Sequence, residues 1–246
     1  LVLTSSGTTD ATHTVASVTF TGAGNMTVGA ITTAATTAAN VSGAVSLGTG
    51  NLVVNNTTTG GADTTALTIT GALTVGGTTT VTGGVTDNAA TSTLTVTGVS
   101  TFTGLLTIAG GAGAAGGAAA DAAAADAVVN LNGATITATA GIVLNDSTTE
   151  GDAMLNLSGI VAQTVTGVIT AASDGEGEIL VATTHASGTT FSNDIGITNT
   201  RVKLITVTLD DGATTATGVL SDFNGHVYAD TINITAAGVD DVASAT

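Results

Sequence analysis

The residues whose type and spacing could do chemistry in this chain are its carboxylates. Glu150-Gly-Asp152, Asp174-Gly-Glu176-Gly-Glu178, Asp210-Asp211-Gly212, Asp222-Phe-Asn224-Gly225 and Asp240-Asp241 set acids beside glycines in turn-like stretches. Hard oxygen ligands in glycine-bearing loops are what calcium requires. Glu150, Asp152, Asp174, Glu176, Glu178, Asp210, Asp211 and Asp222 are therefore the candidate ligands, and calcium is the one cofactor the sequence suggests. None of these stretches matches an EF-hand loop or the nonapeptide of calcium-binding β-rolls, and solvated turn acids are the plainer reading of any single one. Paired acids also serve glycoside hydrolysis. Sugar platforms are aromatic, however, and here only Phe20, Phe102, Phe191, Phe223 and Tyr228 are available.

Other catalytic arrangements find little support. His13, His185 and His226 share no metal-ligand spacing. Thr184 and His185 are adjacent, and neighbours on a strand point to opposite faces, so they would not meet. There is no serine nucleophile elbow and no phosphate-binding loop. The expectation is a protein that is not an enzyme.

Charge narrows the partners. The 246 residues carry 18 acids against Arg201 and Lys203, a net charge of −16. Such a surface repels phosphate, which excludes nucleic acid and disfavours an anionic membrane surface. The long uncharged runs are too dense in Thr and Gly for a spanning helix, so no membrane insertion is expected. Without cysteine there is no disulfide and no thiolate site. Abundant Thr, scarce Lys and absent Cys together fit a secreted protein of a bacterial cell surface. The chain starts at Leu1 without a basic, then apolar, leader, which suggests a processed form or a segment of a longer chain.

Internal repeats indicate what must position these residues. Leu67–Gly84 (LTITGALTVGGTTTVTGG) aligns without gaps on Leu94–Gly111 (LTVTGVSTFTGLLTIAGG) at an offset of 27, with Gly71 on Gly98 and Gly77 on Gly104. Val129–Val143 aligns on Leu155–Ile169 at an offset of 26, and Val18 falls on Val45. Each block alternates apolar residues with Thr or Asn, the period of a half-buried strand, and then meets a Gly where the backbone bends. Two or three such strands and their bends make one coil, so the fold class expected is all-β: a β-solenoid of about 26–27 residues per coil, with about nine coils over a length on the order of 40 Å. Asn130 and Asn156 occupy equivalent positions and would form an amide ladder. Two stacked β-sandwich domains are the alternative. Recurrence of the offsets in both halves favours the solenoid, as does the scarcity of aromatics, since Val, Ile, Leu and Ala suit a narrow interior.

Three of the acids (Asp10, Asp63 and Asp87) precede residue 121, and the other fifteen lie from Asp121 onward. This divides the chain into an uncharged Thr/Gly/Val region, 1–109, an Ala/Gly-rich insertion or linker, 110–128, and an acidic region, 129–246, with a terminal cap. Thr-x-Thr recurs at Thr68/Thr70, Thr95/Thr97, Thr101/Thr103, Thr135/Thr137, Thr164/Thr166 and Thr206/Thr208. Stacked on one face these would give a flat hydroxyl–methyl array that resembles ice-binding solenoids, although Thr is also simply a good outward strand residue.

Blocks such as Ala66-Leu-Thr-Ile-Thr-Gly-Ala-Leu-Thr-Val-Gly-Gly resemble the β-strand repeats of bacterial surface-layer proteins, autotransporter passengers and large adhesins. The resemblance is compositional and matches no family motif residue by residue. It implies secretion, stacked β architecture, and self-assembly or adhesion, often with calcium. The expected function is a self-assembling extracellular structural subunit of a lattice or filament, with copies of itself as partner. The alternative is a monomeric binding module, an adhesin or ice-binder. The apolar start Leu1-Val2-Leu3 is the candidate self-assembly segment, adding a strand to a neighbouring copy; an ordinary first strand of its own chain is the competing reading.

Overall fold

A computed structural model describes residues 1–5, 10–30, 36–57, 64–84, 90–112, 125–147, 151–185, 187–209, 220–236 and 244–245. Among them there is no helix. Alternating blocks form strands of two to eight residues that stack coil upon coil into three parallel sheets. The first sheet contains Val2–Ser5, Met26–Ala30, Leu52–Asn56, Thr79–Thr82, Leu106–Ala109, Ile142–Asn145 and Ile169–Ala171. The second runs from Ala11–Val15 through Thr37–Val41, Thr65–Ile69, Ser92–Val96, Ala127–Leu131, Ala153–Leu157, Glu176–Val181 and Val202–Leu209 to Ala229–Ala236. The third runs from Val18–Thr19 through Val45–Ser46, Leu73–Val75, Ser100–Phe102, Thr135–Ala138, Gln163–Thr166, Thr189–Phe191 and Leu220–Phe223 to Ser244–Ala245. Each coil visits the three sheets in turn, and we number the coils 1 to 9 by their second-sheet strand.

The chain is thus the all-β solenoid expected from its repeats. About seven turns carry a strand on all three faces, fewer than the nine read from chain length. Coils 8 and 9 reach the first face only through single bridges, Ile169 to Ile195 and Ile195 to Val227.

The repeat offsets are the register of the sheets. Leu67 lies opposite Leu94, Val129 opposite Leu155 and Val18 opposite Val45, each pair on adjacent parallel strands. Inward residues therefore stack in columns. One second-sheet column runs His13, Ala39, Leu67, Leu94, Val129, Leu155, Ile179, Ile205, Ile232. From Ala39 to Ile205 every member is buried. A full Leu or Ile there contributes roughly 1.5–3 kcal/mol by leaving water. The interior is narrow, as the composition demands: Phe102 and Phe191 are its only fully buried aromatics among the described residues. Phe191 stacks on Phe223 of the next coil, ring centroids 5.0 Å apart.

Glycine at the corners is a packing requirement. A Cβ on Gly98 would run into the Gly71 carbonyl one coil below. The expected amide ladder forms: Asn156 Nδ2 donates to Asn130 Oδ1 at 3.0 Å, and Asn130 Nδ2 donates to Thr95 Oγ1 at 3.0 Å.

The described ends of the Ala/Gly-rich stretch, 110–112 and 125–128, lie at the corner between first and second sheets. At its neck Gly111 N donates to Ala125 O at 2.7 Å. Equivalent bonds close the same corner in neighbouring coils, from Gly84 N to Ala90 O and from Ser147 N to Gly151 O, both 2.7 Å. On either side the strands remain in register within the same sheets, Leu94 opposite Val129 and Ile108 opposite Leu144. The core columns pass the stretch without interruption.

Candidate functional site

Two regions concentrate what the sequence singled out: the acidic corner between the first and second sheets, and the two ends of the stack. At a corner the strand ladder breaks, and a backbone N–H needs another acceptor. An Asp or Asn one coil below supplies it. Asp10 Oδ1 accepts from Thr36 N (2.9 Å), Asp126 Oδ1 from Asp152 N (3.0 Å) and Asp174 Oδ1 from Arg201 N (2.9 Å). Asn25 and Asn51 do the same at the corner between third and first sheets, accepting from Asn51 N and Thr78 N at 2.9 and 2.8 Å. Short polar side chains are suited to this local bonding.

The chain's two cations both sit at the acidic corner, in coil 8. Arg201 grips Asp174 with two bonds, Nε to Oδ1 at 2.9 Å and Nη2 to Oδ2 at 2.7 Å, and its Nη1 lies 2.6 Å from Asp230 Oδ1. Lys203 Nζ lies 2.9 Å from Asp152 Oδ1, 3.0 Å from Glu178 Oε1 and 3.9 Å from Asp146 Oδ2. The side-chain bond from Arg201, followed by its backbone N–H, pulls the Asp174 carboxyl down to about 2. Burial opposes the charge on Lys203, yet the hydrogen bonds to Asp152 and Glu178 outweigh it and hold the amine well above its usual range. Burial pushes the Asp126 carboxyl up; the bond from Asp152 N opposes this, while the charges of Asp152, Glu178 and Asp146 add to it.

Of the candidate calcium ligands, the fold brings Asp152 and Glu178 together, on the Lys203 ammonium. Asp174 is held by Arg201, and Glu176 Oε2 accepts from Ser173 N at 3.0 Å. Asp222 lies on a different face, on the third sheet opposite Thr190. Glu150, Asp210 and Asp211 lie outside the described residues, as do Asp240 and Asp241. No group of three or more His, Asp or Glu side chains among the described residues is arranged to hold a metal ion. At the acidic corner Asp152 and Glu178 face the Lys203 ammonium. Sequence reasoning missed Asp126 and Asp146. The signal for Asp126 was present: it precedes Asp152 by 26, the offset of the repeats.

The histidines stay apart. His13 Nε2 lies 3.3 Å from Thr4 O, His185 Nδ1 accepts from Ser187 N at 3.1 Å, and His226 Nδ1 lies 3.4 Å from Asp194 Oδ1. A shallow groove of about 120 Å³ on the outer face of the second sheet is lined by Met154, Asn156, Glu178, Leu180, Leu204 and Thr206. Pockets for small molecules run to roughly 300–1,000 Å³. The Thr-x-Thr pairs divide between two faces. Thr68, Thr95 and Thr206 lie on second-sheet strands, while Thr101, Thr137 and Thr166 follow one another on the third.

At the start of the stack, Val2–Ser5 pairs in parallel with Met26–Ala30 of its own chain, and the Leu1 ammonium donates to Asn25 O at 2.8 Å. Leu3 enters the core at 8% exposure, while Leu1 and Val2 remain 43% and 66% exposed. At the other end, Ile232 and Ile234 continue the inward columns of Ile205 and Val207, yet they are 48% and 42% exposed. No further rung covers them among the described residues. Comparison with family models, with curated proteins and with solved structures finds no match.

Proposed function

We propose that this chain is a self-assembling structural subunit of a bacterial extracellular lattice or filament, joined end to end by coil-on-coil stacking. The observation that carries this reading is the second-sheet strand Ala229–Ala236: eight residues long, with no strand paired to its outer edge among the described residues, and with the core-column residues Ile232 and Ile234 half exposed. An open, regular strand edge over apolar side chains is a template for another strand. The first coil of a second copy suits it. Ala11–Val15 has the same alternation, with His13 and Val15 at the inward positions that would follow Ile232 and Ile234. Leu1, Val2 and Leu3 then take part as the first-sheet edge of that incoming coil. Repetition of one head-to-tail contact along the solenoid axis gives a filament. The role is non-enzymatic.

Size-exclusion chromatography with light scattering, and electron microscopy, across a concentration series test it. Wild type is expected to form rods that lengthen with concentration. Ile232→Lys/Ile234→Lys is expected to remain monomeric with an unchanged β spectrum. Wild type that stays monomeric at every concentration overturns the proposal.

One observation favours a second reading, that of a binding module. Thr19, Ser46, Thr74, Thr101, Thr137 and Thr166 form one outward rank along the third sheet. Loss of adsorption to ice, or to a crystalline glycan, on Thr101→Tyr/Thr137→Tyr would support that reading; wild type that adsorbs to neither would remove it.

A further inference from the structure

Arg201 and Lys203 are the chain's only basic residues, and they stand two positions apart on one strand. Between them they reach three other coils. Arg201 ties coil 8 to Asp174 of coil 7 and Asp230 of coil 9. Lys203 ties coil 8 to Glu178 of coil 7 and Asp152 of coil 6. Coils 8 and 9 also lack a strand on the first face among the described residues. Among the described residues, they have only the bridges at Ile195 and Val227 on the first face, and Leu220–Phe223 and Ser244–Ala245 on the third. Their main attachment is the second sheet, where Glu176–Val181, Val202–Leu209 and Ala229–Ala236 pair. The two cations sit at the entry to those strands.

We infer that Arg201 and Lys203 form an ionic clasp that holds coils 8 and 9 on the stack, and that ionic strength opens it. An isolated surface pair contributes little, because water and salt screen it and two long side chains must be ordered. This arrangement differs in three respects. The Arg201–Asp174 contact is bidentate, which fixes its geometry. Each cation serves carboxylates from two other coils. Removing Lys203 would also leave Asp152, Glu178 and Asp146 facing one another without a counter-charge beside the half-buried Asp126. Charge repulsion between successive coils would then act on a segment that has no first-face strand among the described residues and whose column residues Ile232 and Ile234 are half exposed, and local opening favours such weakly covered segments.

The consequence for assembly rests on the end-to-end stacking proposed above, because coil 9 carries the open edge. When the clasp loosens, Ala229–Ala236 ceases to be an ordered template, so rising salt shortens rods. This runs against the usual effect of salt on an acidic protein, where screening a net charge of −16 favours association.

The clasp can be read on dispersed protein, below the concentration at which rods form. Amide hydrogen exchange is followed on the full chain at low salt and at about 1 M salt, where the screening length falls to roughly 3 Å. Residues 202–209 and 229–236 are expected to lose about tenfold protection in high salt, while 92–96 and 127–131 keep theirs. The R201Q/K203Q variant is expected to show the same loss already at low salt and no further loss on adding salt. Unchanged protection of coils 8 and 9 in high salt overturns the clasp, as does an equal loss across all coils; the wild-type salt series decides this even where the variant fails to fold. Rod length against salt is measured separately. A clasp that opens while rods keep their length refutes only the link to assembly.

Discussion

Coils 2 to 5 and coils 6 to 9 share one core and differ in what fastens each coil to the next outside it. In the earlier coils the fasteners are neutral: Asn25 and Asn51 accept corner N–H groups, Gly71 and Gly98 let two backbones touch, and Thr95 receives Asn130. From Asp126 of coil 5 onward carboxylates take this place: Asp126 accepts from Asp152 N, Lys203 binds Asp152 and Glu178, and Arg201 binds Asp174. Stacking places like residues over like. A neutral hydrogen-bonding residue gains from that, because its donor meets the acceptor of its copy. A carboxylate does not gain unless a cation intervenes. The acidic half therefore needs Arg201 and Lys203, whereas the uncharged half needs no counter-ion, and only the acidic half should respond to salt and acid.

The largest expected effect tests whether the core is really shared. Leu94 and Leu155 are both fully buried and belong to one column, on opposite sides of the Ala/Gly-rich stretch. Leu94→Ala and Leu155→Ala should each cost about 2–5 kcal/mol by lost burial and the cavity left behind. Urea unfolding at low and high salt checks both. Costs that are alike and independent of salt support a common core. A cost at Leu155 that grows with salt would mean that the ionic corner and the core are not separable.

A smaller effect sharpens the contrast through pH. With its folded value pulled down to about 2 by Arg201, Asp174 contributes stability that is fully present above the ordinary carboxylate value of about 3.9 and is lost as pH falls toward 2. Asp126 has the opposite sign: its folded value is raised, so its contribution favours the folded state in acid and is lost as pH rises through that value. Carboxylate NMR should show Asp174 titrating near 2 in wild type and near the ordinary value in Arg201→Gln. A wild-type midpoint near 3.9 would show that the bidentate pair does not persist in solution.

Much of this was legible in the sequence for a physical reason. In a parallel solenoid the register equals the repeat offset, so aligning Leu67 with Leu94 is already a statement that they touch. The same logic gave the Asn130–Asn156 ladder. The coil count was less legible, because chain length does not reveal that coils 8 and 9 meet the first face by bridges alone. The acidic corner was half legible. Gly-bearing acid pairs drew the eye to neighbours in sequence, whereas the acids that meet, Asp152 and Glu178, are one repeat apart. The roles of Arg201 and Lys203 were hidden because a lone basic residue has no periodicity to read, and the bond from Lys203 to Asp152 spans 51 residues.

The smallest expected effect extends a neutral fastener into the charged half. The amide ladder runs from Asn130 to Asn156 and stops, because the next residue in register is Leu180. Asn156 Oδ1 is left buried and without a hydrogen-bond partner. Leu180→Asn places an amide where its Nδ2 can donate to that oxygen, continuing the geometry of the rung below. A net hydrogen bond is worth about 0.5–1.5 kcal/mol, and loss of part of the half-buried leucine surface offsets some of it. The balance should raise the melting temperature by at most about 2–4 °C for a chain of this size. Because the new bond is neutral, the gain should be equal at low and high salt, unlike that of the clasp one coil above. A lower melting temperature would mean that the apolar contacts of Leu180 with Met154 and Leu204 outweigh the amide bond, and that the ladder ends at Asn156 because the groove is worth more.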